Sequence, residues 1–237
     1  MTMHLAQKAS ERPVLFGLSE TADIRGIDVS TGAGGISFTL GIQGKKTRVN
    51  LSVPGKFMVK NALAAAAIGH MVGIPLPEIK EALENFTPIK GRMNLHRMDD
   101  GITIIDDTYN ANPGSMKAAI STLQALKKNG RAITVLGDML ELGESAWSLH
   151  REIGLYAARS GVFRLFATGE YADAVVQGAS EGGIARSDIF SGTKADIFRE
   201  VVKILSAGDW VLVKGSRGMR MEILVQDLID ELRKGSS

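Results

Sequence analysis

The chain has 237 residues, 44% of them hydrophobic and 23% charged, which suits one large globular domain or two small ones. A formal charge of +2 is too near neutral for a nucleic-acid or membrane-surface partner, and the absence of cysteine excludes disulfides and thiolate metal sites. The histidines His4, His70, His96 and His150 lack metal-ligand spacing, no apolar run reaches the ~18–20 residues of a membrane span, and Met1 to Arg12 has no apolar signal core, so a soluble cytoplasmic protein is expected.

Three strand-like runs come first: Val14 to Leu18, Gly35 to Ile42 and Thr47 to Val53. Gln43-Gly44-Lys45 reads as the hairpin turn between the last two, and Pro54-Gly55 breaks the pattern. Helices are predicted over Val59 to Val72, rich in alanine, and Leu76 to Asn85, with Pro77 in its first turn. This part looks like a piece of a larger sheet.

A boundary falls near Pro88 to Asn94. After it, strands and helices alternate. The strands are Ile102 to Ile105, Ala132 to Leu136, Phe163 to Ala167, the short Ile189-Phe190, and Trp210 to Val213. The helices are Gly114 to Lys128, Ser145 to Ser160, Tyr171 to Ala179, Ala195 to Leu205 and Met219 to Leu232. Met116, Ala119, Ile120, Leu123 and Leu126 line one face of the first of these. The alternation predicts an α/β fold with a parallel, doubly wound sheet, whose ligands sit at the carboxyl ends of its strands.

Candidate chemistry gathers at those ends. Ile104 to Ser115 reads I-I-D-D-T-Y-N-A-N-P-G-S. Asp106 and Asp107 stand where a strand ends, and spacing supports a turn and a ribose- or metal-water-binding site equally. Asn112-Pro113 reads as an N-cap and first helical residue. Gly137-Asp138 follows another strand and suits a substrate edge or a mere connection. In Lys214-Gly215-Ser216-Arg217-Gly218, two cations and free N–H groups meet before a helix. A cation there opposes the helix dipole, which tilts the reading toward a bound anion. Gly91-Arg92 lies in the connection, where an arginine can reach a phosphate. Alone, Arg92 and Asn61 read as surface residues, and His150 as structural.

No G-x-x-x-x-G-K-[ST] loop is present. The nearest string, Gly44-Lys45-Lys46-Thr47, lacks the upstream glycine, has Lys46 in the hydroxyl position and sits in a hairpin.

The ordered strings resemble the Mur ligase family over nearly the whole chain. Pro54-Gly55 with Asn61-Ala62-Leu63-Ala64-Ala65 is similar to its P-G-x-H-N-x-x-N-A-L-A-A pattern, and Gly91-Arg92 to its G-R. Asp106 to Pro113, Val135 to Gly143 and Val213 to Glu222 resemble three strings typical of the D-alanyl-D-alanine-adding branch.

The resemblance implies an ATP- and Mg2+-dependent amide ligase. Its substrates are UDP-N-acetylmuramoyl tripeptide and D-alanyl-D-alanine, joined through an acyl phosphate. Arg92 and Asp107 are implied as catalytic. The nucleotide is implied to meet Asn61, Arg92, Asp107, Tyr109 and Asn110. Asp138, Lys214, Ser216 and Arg217 are implied to line the dipeptide side, and no residue here is implied as a metal ligand.

Residues 1–90 are expected to be the remainder of a central ATP-binding domain, and 91–237 a C-terminal Rossmann-like domain. Phe57-Met58 replaces the family's H-N. The phosphate loop and magnesium ligands are expected upstream, with Met1 to Ser10 an internal stretch given a new start. The chain alone is then expected to be an inactive fragment, and a monomer. Two alternatives stand beside this reading: a sister ligase or folylpolyglutamate synthase adding a single amino acid, and a non-catalytic nucleotide- or dipeptide-binding module.

Overall fold

A computed structural model describes residues 12–32 and 35–235, so the expectations for Met1 to Ser10 lie outside the described residues. The fold divides into two compact units between Thr87 and Pro88.

The first unit holds a four-stranded sheet in the order β1 (Phe16–Gly17), β2 (Ile24–Gly32), β3 (Gly35–Ile42), β4 (Lys45–Leu51). β1 is parallel to β2, and the other neighbours are antiparallel. In β3, Ile36, Phe38, Leu40 and Ile42 alternate with small or polar residues and are all buried. Gln43 and Gly44 both take positive φ, as a two-residue type I′ hairpin requires. The nearest approach to a phosphate loop therefore lies in this hairpin.

β2 was not among the expected strands. Gly26, Asp28, Ser30 and Gly32 are poor strand formers, and its register shifts between Ile27 and Ser30, with Asp28 at φ 52°. A bulge of this kind erases the period-2 signal. Gly26 sits in a tight space: a Cβ there would stand 3.1 Å from Leu63 Cδ1 and 3.2 Å from Val59 Cγ1. Those two residues lie on helix α1 (Phe57–Met71), which buries them with Ala62, Ala66 and Ala67. Helix α2 (Leu76–Glu84), with Pro77 in its first turn, packs against β4.

The second unit is α/β, with six strands ordered β5 (Asn94–Arg97), β6 (Thr103–Asp107), β10 (Trp210–Lys214), β7 (Ala132–Leu136), β8 (Arg164–Ala167), β9 (Ile189–Ser191). All pairs are parallel except β5–β6. The antiparallel edge strand β5 was not foreseen either, since Leu95 is its only apolar residue. Helices α3 (Pro113–Leu126), α4 (Ala146–Arg159), α5 (Ala172–Glu181), α6 (Lys194–Ile204) and α7 (Glu222–Gly235) fill the crossovers and the end. Ile104, Val135 and Val213 form a core with Ile197 and Val201 of α6 and Leu224 and Leu228 of α7. Residues of the other parity, such as Ile105 and Leu212, are equally buried, and α3 packs against β10 and β7.

The α4–α5 contact depends on two glycines. A Cβ on Gly154 would fall 2.0 Å from the Val175 carbonyl oxygen, and one on Gly178 1.9 Å from that of Arg151. Backbone touches backbone here, so no side chain can yield. Gly154→Ala or Gly178→Ala is expected to cost about 1–3 kcal/mol or more through forced helix separation. Urea unfolding would measure it, and a midpoint equal to that of the parent chain would refute this account of the contact.

Candidate active site

The alternation of β6 decides what its two terminal aspartates can do. Successive residues of a strand face opposite sides of the sheet. Asp106 shares the Ile104 side and is 1% exposed. Its Oδ1 accepts from Thr108 N (3.2 Å) and Thr108 Oγ1 (2.6 Å), and its Oδ2 stands 4.0 Å from His96 Nε2. Burial pushes the His96 imidazole below its ordinary pKa against the pull of Asp106, with Arg233 and Lys90 adding to the depression. Asp106 is thus a loop-holding group, and it does not act as a pair with Asp107.

Asp107 faces the α3 side. Its register partner across the β6–β10 ladder is Lys214. In-register residues of parallel strands point the same way, so the two side chains meet. Lys214 Nζ donates to Asp107 Oδ2 at 2.6 Å and to the Asn110 carbonyl at 2.8 Å. Lys214 is 2% exposed. The second carboxylate oxygen, Oδ1, accepts from Met93 N at 3.2 Å. Asp107 is only partly buried, so its remaining lone pairs face the rim.

Around this pair the loop is fixed by backbone. Tyr109 N donates to the Gly91 carbonyl at 2.9 Å. Gly91 sits at φ 78°, and a Cβ there would stand 3.0 Å from Tyr109 N, so glycine is needed twice over. Asn112 caps α3 by a reciprocal capping box with Ser115, the structural role that its place before Pro113 predicted. Asn110, Tyr109 and Arg92 are exposed. The Arg92 guanidinium carbon lies 4.1 Å from the centroid of the Tyr109 ring, and that of Arg217 lies 5.4 Å from it.

The residues expected on the dipeptide side divide sharply. Asp138 is buried, and both its oxygens accept backbone N–H bonds from the start of α5: Glu170 N at 2.7 Å and Tyr171 N at 3.1 Å. Gly169, a residue the sequence reading passed over, makes room for it. A Cβ there would fall 2.3 Å from the Asp138 carboxyl carbon. The glycine following β8 was its one sequence signal.

His150 stands 3.8 Å from Asp138, yet its Nε2 accepts from Met139 N (2.9 Å) while Nδ1–H donates to the Ala146 carbonyl (2.7 Å). That pattern fixes a neutral tautomer, so this contact is not an ion pair. Ser216 is buried and accepts from Leu140 N at 2.9 Å. Of the four, only Arg217 is exposed; Asp138, Lys214 and Ser216 are buried and hydrogen-bonded within the protein, where they hold the loops.

Asn61 belongs to the first unit. It is exposed at a cavity of about 300 Å3 lined chiefly by apolar groups, among them Ala65, Ile74, Leu83 and Phe86. Met58, one of the two departures from the family pattern, stands beside it, 3.6 Å from sulfur to Asn61 Nδ2.

Residues 91–217 match the family described as "Mur ligase, glutamate ligase domain", and residues 1–69 match "Mur ligase middle domain". The chain therefore belongs to the Mur ligase family. Among its relatives, the UDP-N-acetylmuramoyl-tripeptide–D-alanyl-D-alanine ligase of Bacillus subtilis is 35% identical over 215 residues, covering 91% of this chain and 47% of the relative. The Escherichia coli ligase of the same name is 34% identical over 210 residues, covering 87% and 44%. A crystal structure of MurF from Acinetobacter baumannii superposes with a TM-score of 0.86 at 30% identity, covering 97% of this chain and 49% of that one. The chain spans about half the length of the curated relatives it matches.

The buried Lys214–Asp107 pair gives a direct test of this geometry. Lys214→Met leaves a carboxylate half-desolvated without its cation and is expected to cost about 3 kcal/mol. Lys214→Met with Asp107→Asn is expected to recover part of that loss in denaturant titration. A double variant no more stable than Lys214→Met alone would show that the pair is not what holds the two strand ends.

Proposed function

We propose that the protein carrying this chain is an ATP-dependent amide ligase of peptidoglycan precursor synthesis, adding D-alanyl-D-alanine to UDP-N-acetylmuramoyl tripeptide. One observation carries the reading: Asp107 is held by Lys214 and Met93 N at the end of β6, beside exposed Arg92, Tyr109 and Asn110. These are the positions that the family pattern gives to the nucleotide. In this reading 1–90 is the later part of the central ATP-binding domain and 91–237 the C-terminal ligase domain.

The chemistry runs in two displacements. The terminal phosphoryl group of ATP passes to the tripeptide's end carboxylate and ADP leaves. The dipeptide amine then attacks the acyl carbon, the amide bond forms, phosphate departs, and the amine gives up a proton. Asp107 accepts hydrogen bonds from the ribose hydroxyls with the lone pairs that Lys214 and Met93 leave free. Arg92 stabilises charge on the terminal phosphates, where a planar guanidinium donates two bonds at once. Asn61 meets the adenine at the mouth of its apolar cavity. Tyr109 and Asn110 flank the phosphates.

Asp138, Lys214 and Ser216 act as positioning residues, since their polar groups are committed internally. Mg2+ neutralises phosphate charge when bound. Among the described residues no group of three acidic or histidine side chains is placed to hold a metal. Among the described residues, too, no helix is long and apolar enough to cross a membrane. The reading places the protein in the cytoplasm, acting as a monomer on nucleotide-linked substrates without nucleic acid.

The test is ADP release by the protein expressed from the whole reading frame that carries these residues. Release is expected to require both the tripeptide substrate and D-alanyl-D-alanine. Arg92→Ala is expected to lower kcat/KM by about 100-fold or more, as loss of one charge-stabilising donor does. Robust turnover with a single amino acid and none with the dipeptide would favour a sister ligase instead. The 237-residue chain alone, in which no string matches G-x-x-x-x-G-K-[ST], is expected to release no ADP.

A further inference from the structure

Two arginines that the sequence reading assigned to different substrates meet on one aromatic ring. Arg92 and Arg217 lie 4.1 Å and 5.4 Å from the Tyr109 centroid, which keeps their guanidinium carbons within about 10 Å of each other. Both are exposed, and neither has a carboxylate partner among the described residues. Asp107 is already occupied by Lys214. The ring's electron-rich surface offsets some of the like-charge repulsion, yet two unneutralised guanidiniums this close still favour an added anion.

The approach is built in by backbone on both sides. Arg92 follows Gly91, whose positive φ and hydrogen bond from Tyr109 N fix the spacing of Arg92 to Tyr109. Arg217 follows Ser216, whose N donates to the Asp138 carbonyl at 2.9 Å and whose Oγ accepts from Leu140 N. Tyr109 follows the Asp107 that Lys214 ties to the end of β10. The three side chains therefore stand at the carboxyl ends of the two adjacent strands β6 and β10, where ligands of such sheets bind.

We propose that Arg92 and Arg217 form a single two-armed oxyanion clamp, that Tyr109 is the positioning residue holding both arms, and that its ligand is a phosphoryl group carrying at least two negative charges. Arg217 then belongs to the phosphate side, not to the dipeptide carboxylate. The clamp stands on the geometry; only the source of its ligand, the terminal phosphate of ATP, rests on the ligase reading. In the clamp each guanidinium would donate N–H bonds of ~2.8 Å to oxygens of one phosphoryl group or of two joined ones.

The test is calorimetric titration of the 237-residue chain with inorganic tripolyphosphate, and separately with D-alanyl-D-alanine. Arg92→Ala and Arg217→Ala are each expected to weaken tripolyphosphate binding about tenfold or more, and the double variant to be little worse than either single one, because the clamp needs both arms. Tyr109→Leu is expected to weaken it several-fold, while Tyr109→Phe, which keeps the ring, stays within about twofold of the parent. A merely structural tyrosine gives no such split, and equal unfolding midpoints of the four single variants would exclude a folding defect. Unchanged tripolyphosphate affinity in Arg217→Ala, or no binding by the parent chain, overturns the clamp. So does selective loss of D-alanyl-D-alanine in Arg217→Ala, which would return that residue to the dipeptide side and leave the ligase reading standing. The ligase reading fails on its own measurement, if ADP release proves independent of the dipeptide.

Discussion

A lysine that is 2% exposed keeps its charge only if the interior supplies what water did, and Lys214 is supplied by three oxygens of the D-D-T-Y-N loop. This requirement fixes much of the second unit's working edge. By binding Asp107 Oδ2 and the Asn110 carbonyl together, Lys214 draws the loop after β6 over the end of β10. Asp107 is turned so that its other oxygen reaches Met93 N, which closes the connection carrying Arg92. Tyr109 is left outside the tied loop, with its ring in reach of two arginines.

The same logic separates residues that hold from residues that touch. Ser216, next but one after Lys214, bonds Leu140 N and so ties the loop after β10 to the loop after β7. Asp138 ties the loop after β7 to the start of α5. Three strand ends, those of β6, β10 and β7, are thus joined by polar groups that are themselves buried and satisfied. A network of this kind rigidifies because every member would cost free energy if released. Of the candidate site residues in this unit, it leaves Arg92, Tyr109, Asn110 and Arg217 exposed.

Much of this fold was legible in the sequence because the relevant signals are local. The largely apolar runs of β7 and β10, the helix period of α3 and the Asn112-Pro113 cap each depend on residues a few positions apart. β2 and β5 escaped for the opposite reason. β2 carries Gly26 beneath α1, against Leu63 and Val59 some 35 residues away, and its register shift breaks the alternation further along. β5 is a four-residue edge strand, too short and too polar to show a period of its own.

At the candidate site, the strings D-D-T-Y-N-A-N and K-G-S-R mark two loops that the fold brings together, but they could not distribute roles within them. Asp106 and Asp107 are adjacent letters on opposite faces of a sheet. Lys214 and Arg217 are cations three positions apart, one sealed inside an ion pair and one in solvent.

That distribution bears on how charge is managed where a phosphoryl group would bind. A buried cation already neutralised by Asp107 attracts a distant anion weakly, so Lys214 contributes order more than field. Arg92 and Arg217 are solvated, unpaired among the described residues and held by their backbones, so their charge is available to a ligand without first breaking an internal bond. Preorganised donors aimed at developing charge lose little by reorganising when the charge appears. The buried pair and the exposed pair are then two parts of one arrangement. Lys214–Asp107 pins the loop so that Tyr109 can face both arginines, and the arginines keep their charge free because the nearby aspartates, Asp106, Asp107 and Asp138, are each spoken for elsewhere.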